Sequence, residues 1–363
     1  MPSTRRKKPR VRKGQPDVGL TRDEFARRFV LEFSDPRFAA AATHVRALAD
    51  IAWRNYEDGR KAPRTVRAGP RFADPDYDLS VDWLAAHRAV QQAQRLHDRR
   101  AGPARVLIVN ASPRNDHTCP GEMSKTWRLA RIARDVLDGT RGIETELLDL
   151  SRLTAEYGRV IYPCKACVST AMPLCHWPCS CYPNHGQGQL RDWMHEIYPM
   201  WVAAHGILIV TPVHWYQAPS VLKLMMDRLV CADGGNPDPT STSGKDAAKA
   251  KEIELRGWPY PRHIAGRVFA LIVHADAAGA EGLRRMLHDW LTDMHLVSAG
   301  ADAMLDRYIG YYEPYAMSHD ALDRDPALRQ EVSNVAAGLA RAVKEARRGR
   351  HRKPPARPAP RPK

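Results

Sequence analysis

The sequence predicts an α/β fold: a doubly wound parallel sheet of about five strands, preceded by an N-terminal helical extension. Three observations carry this. The runs "RVLIVN" (105–110), "GILIVT" (206–211) and "RVFALIVH" (267–274) are rich in Val, Ile and Leu without polar alternation, the pattern of strands buried on both faces of a sheet. Helical patterns follow them, and strands alternating with helices build a parallel sheet covered on both sides. Residues 20–100, by contrast, hold helical patterns without such runs.

Taken in order, "TRDEFARRFVLEF" (21–33) and "VDWLAAHRAVQQAQRLHD" (81–98) read as helices, separated by the Pro-, Gly- and Arg-rich link "RKAPRTVRAGPRFADPDYD". After the first strand, "SKTWRLARIARDVLDG" has a Ser start and a Gly stop. "ETELLDL" (144–150) alternates more and suits a strand nearer the edge. "APSVLKLMMDRLV" puts Leu222, Met225, Met226 and Leu229 on one face. "GAEGLRRMLHDWLTDM" spaces Leu283, Met286, Leu287, Trp290, Leu291 and Met294 helically. Those Met and Trp residues read as core.

The chain has 363 residues, 44% hydrophobic and 27% charged, the mix of a soluble globular protein. No apolar run is long enough to span a membrane, and the basic N-terminus has no apolar stretch behind it, so a cytoplasmic protein is the expectation. The net charge of +15 is a property of the ends. Residues 1–13 and 341–363 are Arg-, Lys- and Pro-rich and carry the whole excess. Such segments cannot bury a core and are expected to be disordered. They suit weak polyanion contact, or simply solvation.

The first strand ends near Asn110, and a polar turn leads to the next helix. In an open parallel sheet, ligands bind beyond the carboxyl ends of strands where strand order reverses. Ser112, Arg114, Ser124, Lys125 and Thr126 lie there, beside a helix start whose free N–H groups favour anions. The turn has neither GxGxxG nor GxxxxGK[ST], which disfavours a dinucleotide fold and a P-loop. A hydroxyl-rich loop for a terminal phosphate remains. Ser124 and Thr126 also read as a helix cap and its neighbour, and the two roles share one geometry.

These residues carry a family resemblance. "ASPR…SKT" resembles the phosphate loop of NADPH-dependent FMN reductases and flavodoxin-like quinone reductases. "TPVHWYQAPSVLKLMMDRL" (211–229) is similar to their second flavin segment, and "HADAAGAEGLRRML" (274–287) to their third. The resemblance covers residues 104–300. It implies a flavodoxin-like sheet, with Ser112, Arg114, Ser124 and Thr126 on the FMN phosphate. Thr211, Pro212, Val213, His214, Trp215 and Tyr216 would lie along the isoalloxazine ring, and Asp276, Gly279 and Glu281 would close its other side. "NDHTCPGEM" lengthens the phosphate loop relative to the family. His214, Trp215 and Tyr216 read equally as surface aromatics at a strand end, until the adjoining helix start is considered.

The implied domains are a disordered basic tail (1–19), a helical extension (20–100), an FMN-binding domain (101–335) with a Cys-rich insertion (162–186), and a disordered C-terminal tail (341–363). The implied activity is an FMN-dependent NAD(P)H oxidoreductase passing electrons to a quinone, flavin or similar acceptor, with His214 or Tyr216 able to donate a proton. A homo-oligomer is implied by resemblance alone. The alternative is an electron carrier serving a protein partner. The Tyr-rich stretch 307–325 suits a lid or an interface, and no site is assigned there.

Five of the seven Cys fall within 164–181, spaced C-x2-C-x7-C-x3-C-x-C. In a cytoplasm such a cluster reads as metal or redox chemistry before disulfides. Iron–sulfur flavoproteins carry a similar compact motif, but Thr170 stands where their third Cys would be. Three readings stay open. One is an iron–sulfur cluster or zinc site on Cys164, Cys167, Cys175 and Cys179 or Cys181, with His176 and His185 as substitutes. The second is a Cys164–Cys167 redox pair. The third is inert buried thiols. Cys119 and Cys231 stand apart and read as structural.

Overall fold

The computed structural model describes residues 9–167, 172–258, 260–311 and 313–350. In chain order the elements are α1 (Arg22–Leu31), α2 (Ala42–Glu57), β1 (Thr65–Arg67), β2 (Asp78–Ser80), α3 (Val81–Asp98), β3 (Ala104–Asn110), α4 (Lys125–Asp138), β4 (Ile143–Asp149), α5 (Arg152–Ala155), α6 (Met194–Ala203), β5 (Gly206–Pro212), α7 (Ser220–Leu229), α8 (Ala247–Arg256), β6 (Val268–Ala275), α9 (Ala280–Asp293), β7 (Val297–Ser298), β8 (Met304–Tyr308), α10 (Ser318–Asp323) and α11 (Pro326–Arg347). They divide into two compact units. The larger takes Ala86–Ala166, Trp193–Gly235 and the chain from residue 260 onward; the smaller takes the chain up to Ala85, Cys167–Asp192 and Asn236–Trp258.

In the larger unit an all-parallel sheet runs β4-β3-β5-β6-β7, with β8 also pairing β6. This is the flavodoxin-like order, whose reversal falls between β3 and β5. The three apolar runs form its centre: every residue of β6 is buried, and β3 and β5 each have a single exception. β4, the alternating run, sits on the edge with one buried residue.

One face of the sheet, through Val106, Ile108, Leu208, Val210, Ala270 and Ile272, packs on Leu129, Ala133 and Leu137 of α4 and on Val332, Ala336, Leu339 and Val343 of α11. The pleat sends alternate residues to the other face, where Phe269 meets His288 of α9 edge-on at 5.5 Å.

α11 corrects the expected C-terminal tail. Asp325 caps the helix by accepting from Leu328 N at 2.8 Å, Pro326 fills its first turn, and the helix runs to Arg347 with Ala342 and Val343 buried. Small Ala side chains between the larger apolar residues let it lie close to the sheet. A Cβ on Gly206 would sit 2.6 Å from Val343 Cγ2. Residues 351–363, most of the expected tail, lie outside the described residues, as do 1–8 of the N-terminal one.

The smaller unit also departs from the expected 20–100 extension. Its helices form where the patterns place them. Phe25, Trp53 and Tyr56 pack ring to ring at 5.1–5.5 Å between α1 and α2. The unit also takes in two remote segments, joined by backbone hydrogen bonds. Asn236 N donates to Cys175 O (2.7 Å), and Trp177 N donates to Asn236 O (2.8 Å). Pairing across that sequence distance is invisible to local patterns. Much of the predicted Cys-rich insertion therefore belongs to this unit, whereas Cys164 belongs to the larger one.

Candidate functional site

The carboxyl ends of β3, β5 and β6 open onto a cavity of about 260 Å³ in the larger unit. From β3 the backbone bends at Ser112, which is buried and whose Oγ accepts from Arg114 N at 3.1 Å. The inserted residues then close as a compact turn. Asn115 and Thr118 bond each other, and Asn115 Nδ2 donates to Ser151 Oγ at 2.9 Å. The detour therefore leaves Arg114 and Ser124 on one cavity. Ser124 caps α4, accepting from Trp127 N at 3.1 Å. The free N–H groups and positive end of the helix dipole face the same space.

Arg114 is steered by Tyr315. Its guanidinium donates to the Tyr315 hydroxyl at 3.2 Å, lies 5.5 Å from that ring's centre, and sits 3.7 Å from Glu122. Lys125, only 13% exposed, pairs with Asp276 at 2.5 Å and donates to Ile309 O at 3.2 Å. Beneath it His274, the last but one residue of β6, is buried. Its Nε2 bonds Thr126 Oγ1 at 2.8 Å, and its Nδ1 has no partner among the described residues. Burial, reinforced by the Lys125 ammonium, lowers its pKa to about 3, so the ring is neutral at pH 7.

At the end of β5, His214 and Gln217 exchange backbone hydrogen bonds at 2.9 Å in both directions. The two residues they enclose, Trp215 and Tyr216, have φ of +47° and +64°. Two successive bulky residues in the left-handed region are rare outside functional sites. Gly279 (φ +89°) backs this turn. A Cβ there would lie 3.1 Å from Tyr216 Cα, so the third loop touches the second only because residue 279 is glycine.

Of the residues singled out from sequence, Ser112, Arg114, Ser124, Thr126, Pro212, Val213, His214 and Asp276 line this cavity. Thr211 does not; it is fully buried and donates to Pro212 O. Trp215 (95% exposed) and Tyr216 (66% exposed) stand in solvent at the turn. Sequence reasoning left Lys125 without a role and missed His274, Gly310, Glu313, Tyr315, Ser318 and His319. His274 had a signal, its place at the end of an all-apolar strand. The others come from the Tyr-rich stretch and had none beyond their aromatic density.

A second cavity of about 390 Å³ lies on the far side of the same loop and shares Arg114 and Ser124. Asp116, Asp149 and Glu156 line it, which makes it a poor anion site. The first sets Arg114, Lys125 and the α4 terminus against Asp276 and Glu313, and Asp276 is already neutralised by Lys125.

The metal reading finds no support in the geometry. Among the described residues no group of three or more His, Cys, Asp or Glu is placed to hold a metal ion. All seven cysteines are free thiols. His176 is spent: Nδ1 bonds Ser180 Oγ at 2.5 Å and Nε2 bonds Thr242 Oγ1 at 2.9 Å. His185 Nε2 lies 4.0 Å from Asp82.

A flavodoxin-like sheet with a hydroxyl- and cation-lined cavity at its switch point defines the class: flavin-dependent α/β reductases. Residues 104–309 match the family described as NADPH-dependent FMN reductase, more than half the chain, and the chain belongs to that family. It is an NAD(P)H-dependent FMN oxidoreductase.

Comparison with curated proteins returns no match. Similar solved structures include RosB with the bound intermediate 8-demethyl-8-formylriboflavin-5′-phosphate (16% identity, 68% of this chain and 82% of that one, TM-score 0.45). Another is an oxidoreductase from Corynebacterium diphtheriae (13% identity, 68% and 99%, TM-score 0.38). A third is an FMN-dependent NADH-azoreductase from Bacillus anthracis in complex with FMN (17% identity, 65% and 99%, TM-score 0.34). No helix among the described residues is long and apolar enough to cross a membrane.

Proposed function

We propose that this chain binds FMN with the phosphate in the 260 Å³ cavity at the start of α4, takes hydride from NADH or NADPH, and passes electrons to a quinone, a flavin or a similar small acceptor. One observation carries the reading: hydroxyls, cations and a helix N-terminus from separate strand ends converge on one cavity. The residues present fit a phosphate. Ser112, Ser124 and Thr126 offer hydroxyls, Arg114 offers a fork of N–H donors, and α4 offers free backbone N–H groups. When bound, the flavin supplies the hydride chemistry, and the protein supplies position and electrostatics.

Thr126 receives its orientation from His274. If Nε2 carries the proton, it donates to Thr126 Oγ1 and leaves the threonine hydrogen free to point at a phosphate oxygen. Val213 and His214 supply the wall beside the ring, and Gly279 lets the third loop close behind them. Burial lowers the His214 pKa, so its ring is neutral at pH 7 and can donate a proton to an acceptor oxygen only as a neutral N–H. Tyr216, exposed at the turn, is the second candidate donor. Trp215 and Tyr216 extend from the cavity rim into solvent, which is where an acceptor, or a second copy completing the pocket, would stack.

The test uses the purified full chain. FMN should bind at unit stoichiometry with its visible bands perturbed, riboflavin should bind markedly more weakly, and NADPH should be consumed when a quinone is added. Failure to bind added FMN sinks the reading. Equal affinity for FMN and riboflavin sinks the phosphate assignment alone.

A further inference from the structure

The second cavity, of about 390 Å³, has no part in the flavin chemistry. It lies wholly within the larger unit. Asn110 ends β3, Asp149 ends β4, and both line it. Asn110 Nδ2 donates to Asp149 Oδ1 at 2.7 Å. Ser151 donates to the same oxygen from its backbone N (3.1 Å) and its Oγ (2.8 Å). Three donors on Oδ1 fix the carboxylate, and its Oδ2 makes no hydrogen bond among the described residues. The first bond also fixes the Asn110 amide, because the flipped amide would set oxygen against carboxylate. Asn110 is 1% exposed, and its Oδ1 is left as a buried acceptor without a partner among the described residues. Such atoms are rare.

The rest of the lining is flat, apolar or already paired. Trp127, half-buried in the first turn of α4, brings an indole face, and Met123 and Ala155 add apolar surface. Glu156 is neutralised by Arg152 and Arg159, each at 2.5 Å. Arg114 and Arg152 stand against Asp116, Asp149 and Glu156, so neither sign of charge dominates. One wall is the turn that lengthens the phosphate loop, tied in place where Asn115 Nδ2 donates to Ser151 Oγ at 2.9 Å.

We propose that this cavity binds a nucleoside, with its ribose 2′,3′-diol on Asp149 and Asn110 and its base on Trp127. Two neighbouring acceptors match two adjacent hydroxyl donors. Doubly wound sheets that bind dinucleotides set a carboxylate on the ribose hydroxyls in the same way. An indole face stacks any base. The volume lies within the range of small-molecule sites, about 300–1,000 Å³. A phosphate on the ribose 2′-oxygen is excluded, because it would set a dianion against Asp149. The cavity shares Arg114 and Ser124 with the first one, and Arg114 Nε is buried without a partner among the described residues. The same chemistry therefore arrives either as a free nucleoside or as the adenosine end of a flavin dinucleotide whose phosphates meet those two residues. Only the second source rests on the FMN reading.

The experiment titrates the purified full chain by calorimetry with adenosine, 2′,3′-dideoxyadenosine and adenosine 2′-phosphate, and separately with FMN and FAD. Adenosine should saturate one site, and the other two nucleosides should bind at least tenfold more weakly. Asp149→Asn should cost adenosine about tenfold, and Trp127→Leu about tenfold through the lost stacking. The analogue series needs no variant, and Trp127→Leu leaves the Asp149 bonds intact, so the test survives if Asp149→Asn misfolds. FAD bound at least tenfold tighter than FMN, with that margin lost in Asp149→Asn, assigns the dinucleotide. Equal FAD and FMN affinities beside saturable adenosine assign the free nucleoside. Adenosine bound by a chain that takes neither flavin sinks the FMN reading and keeps this site. Three results overturn the proposal: no adenosine binding together with equal FAD and FMN affinities, dideoxyadenosine bound as tightly as adenosine, or adenosine affinity unchanged in both variants.

Discussion

The two ends of the parallel sheet both desolvate histidines and use them oppositely. At the amino end, His97 and His205 stack at 4.7 Å with every mapped ring contact going to backbone: Arg105 N donates to His205 Nδ1 (3.0 Å), His205 Nε2 meets His97 O (3.0 Å), and His97 Nδ1 meets Ala204 O (2.9 Å). At the carboxyl end, His274 lines the cavity, bonds one threonine through Nε2, and leaves a buried Nδ1 without a partner among the described residues. Buried polar atoms are almost always paired, so the unpaired Nδ1 singles this ring out from the other two. The lesson is that burial and titration alone do not separate a structural histidine from a functional one; the hydrogen-bond inventory does.

The largest effect should come from the face both ends share. Leu339→Ala removes a fully buried side chain of α11 from the sheet and should cost about 2–5 kcal/mol, read as a fall in chemical-denaturation midpoint. A loss under 1 kcal/mol would mean that α11 does not hold the sheet.

At the carboxyl end, Arg114→Met should weaken FMN binding by about 1.5–3 kcal/mol, roughly ten- to hundredfold, and leave riboflavin affinity unchanged. Flavin fluorescence titration measures both. His274→Leu should act through Thr126 and cost FMN about tenfold. The double variant with Thr126→Val should be no worse than the worse single. Additive losses would show that His274 does not work through that hydroxyl.

The amino end should respond to pH instead. Burial lowers the pKa of His97 to about 3 and of His205 to about 4, below the unfolded value near 6.5. Below 6.5 the unfolded chain binds protons that the native rings refuse. Stability is thus full above pH 6.5 and falls as pH drops toward 4, by up to about 1.4 kcal/mol per pH unit for each ring. His97→Gln should flatten that slope without touching FMN affinity; an unchanged slope would clear this pair of the acid response. The smallest effect belongs to the turn. Trp215→Gly should raise stability by about 1 kcal/mol by releasing the left-handed strain, while lowering turnover with a quinone. A destabilised variant would mean that the exposed ring is packed in the working form.

The sheet was legible because a strand buried on both faces must be apolar throughout, and that leaves a local mark at 105–110, 206–211 and 267–274. Ser112, Arg114, Ser124 and Thr126 were legible for a related reason: the loop after a strand and the first turn of a helix are contiguous in sequence. The end of α11 was read as part of a tail because residues 341–363 are basic, and only the sheet beneath it reveals that Val343 is core.

Sequence by itself determined the alternation of strands and helices, the polar loop after the first core strand and the family, all properties of neighbours along the chain. Tertiary structure alone decided that Tyr315 steers Arg114 across 201 residues, that His274 reaches Thr126 across 148, and that Asn236 pairs with Cys175 and Trp177. These contacts are set by where packed elements bring distant side chains, and no local periodicity encodes that.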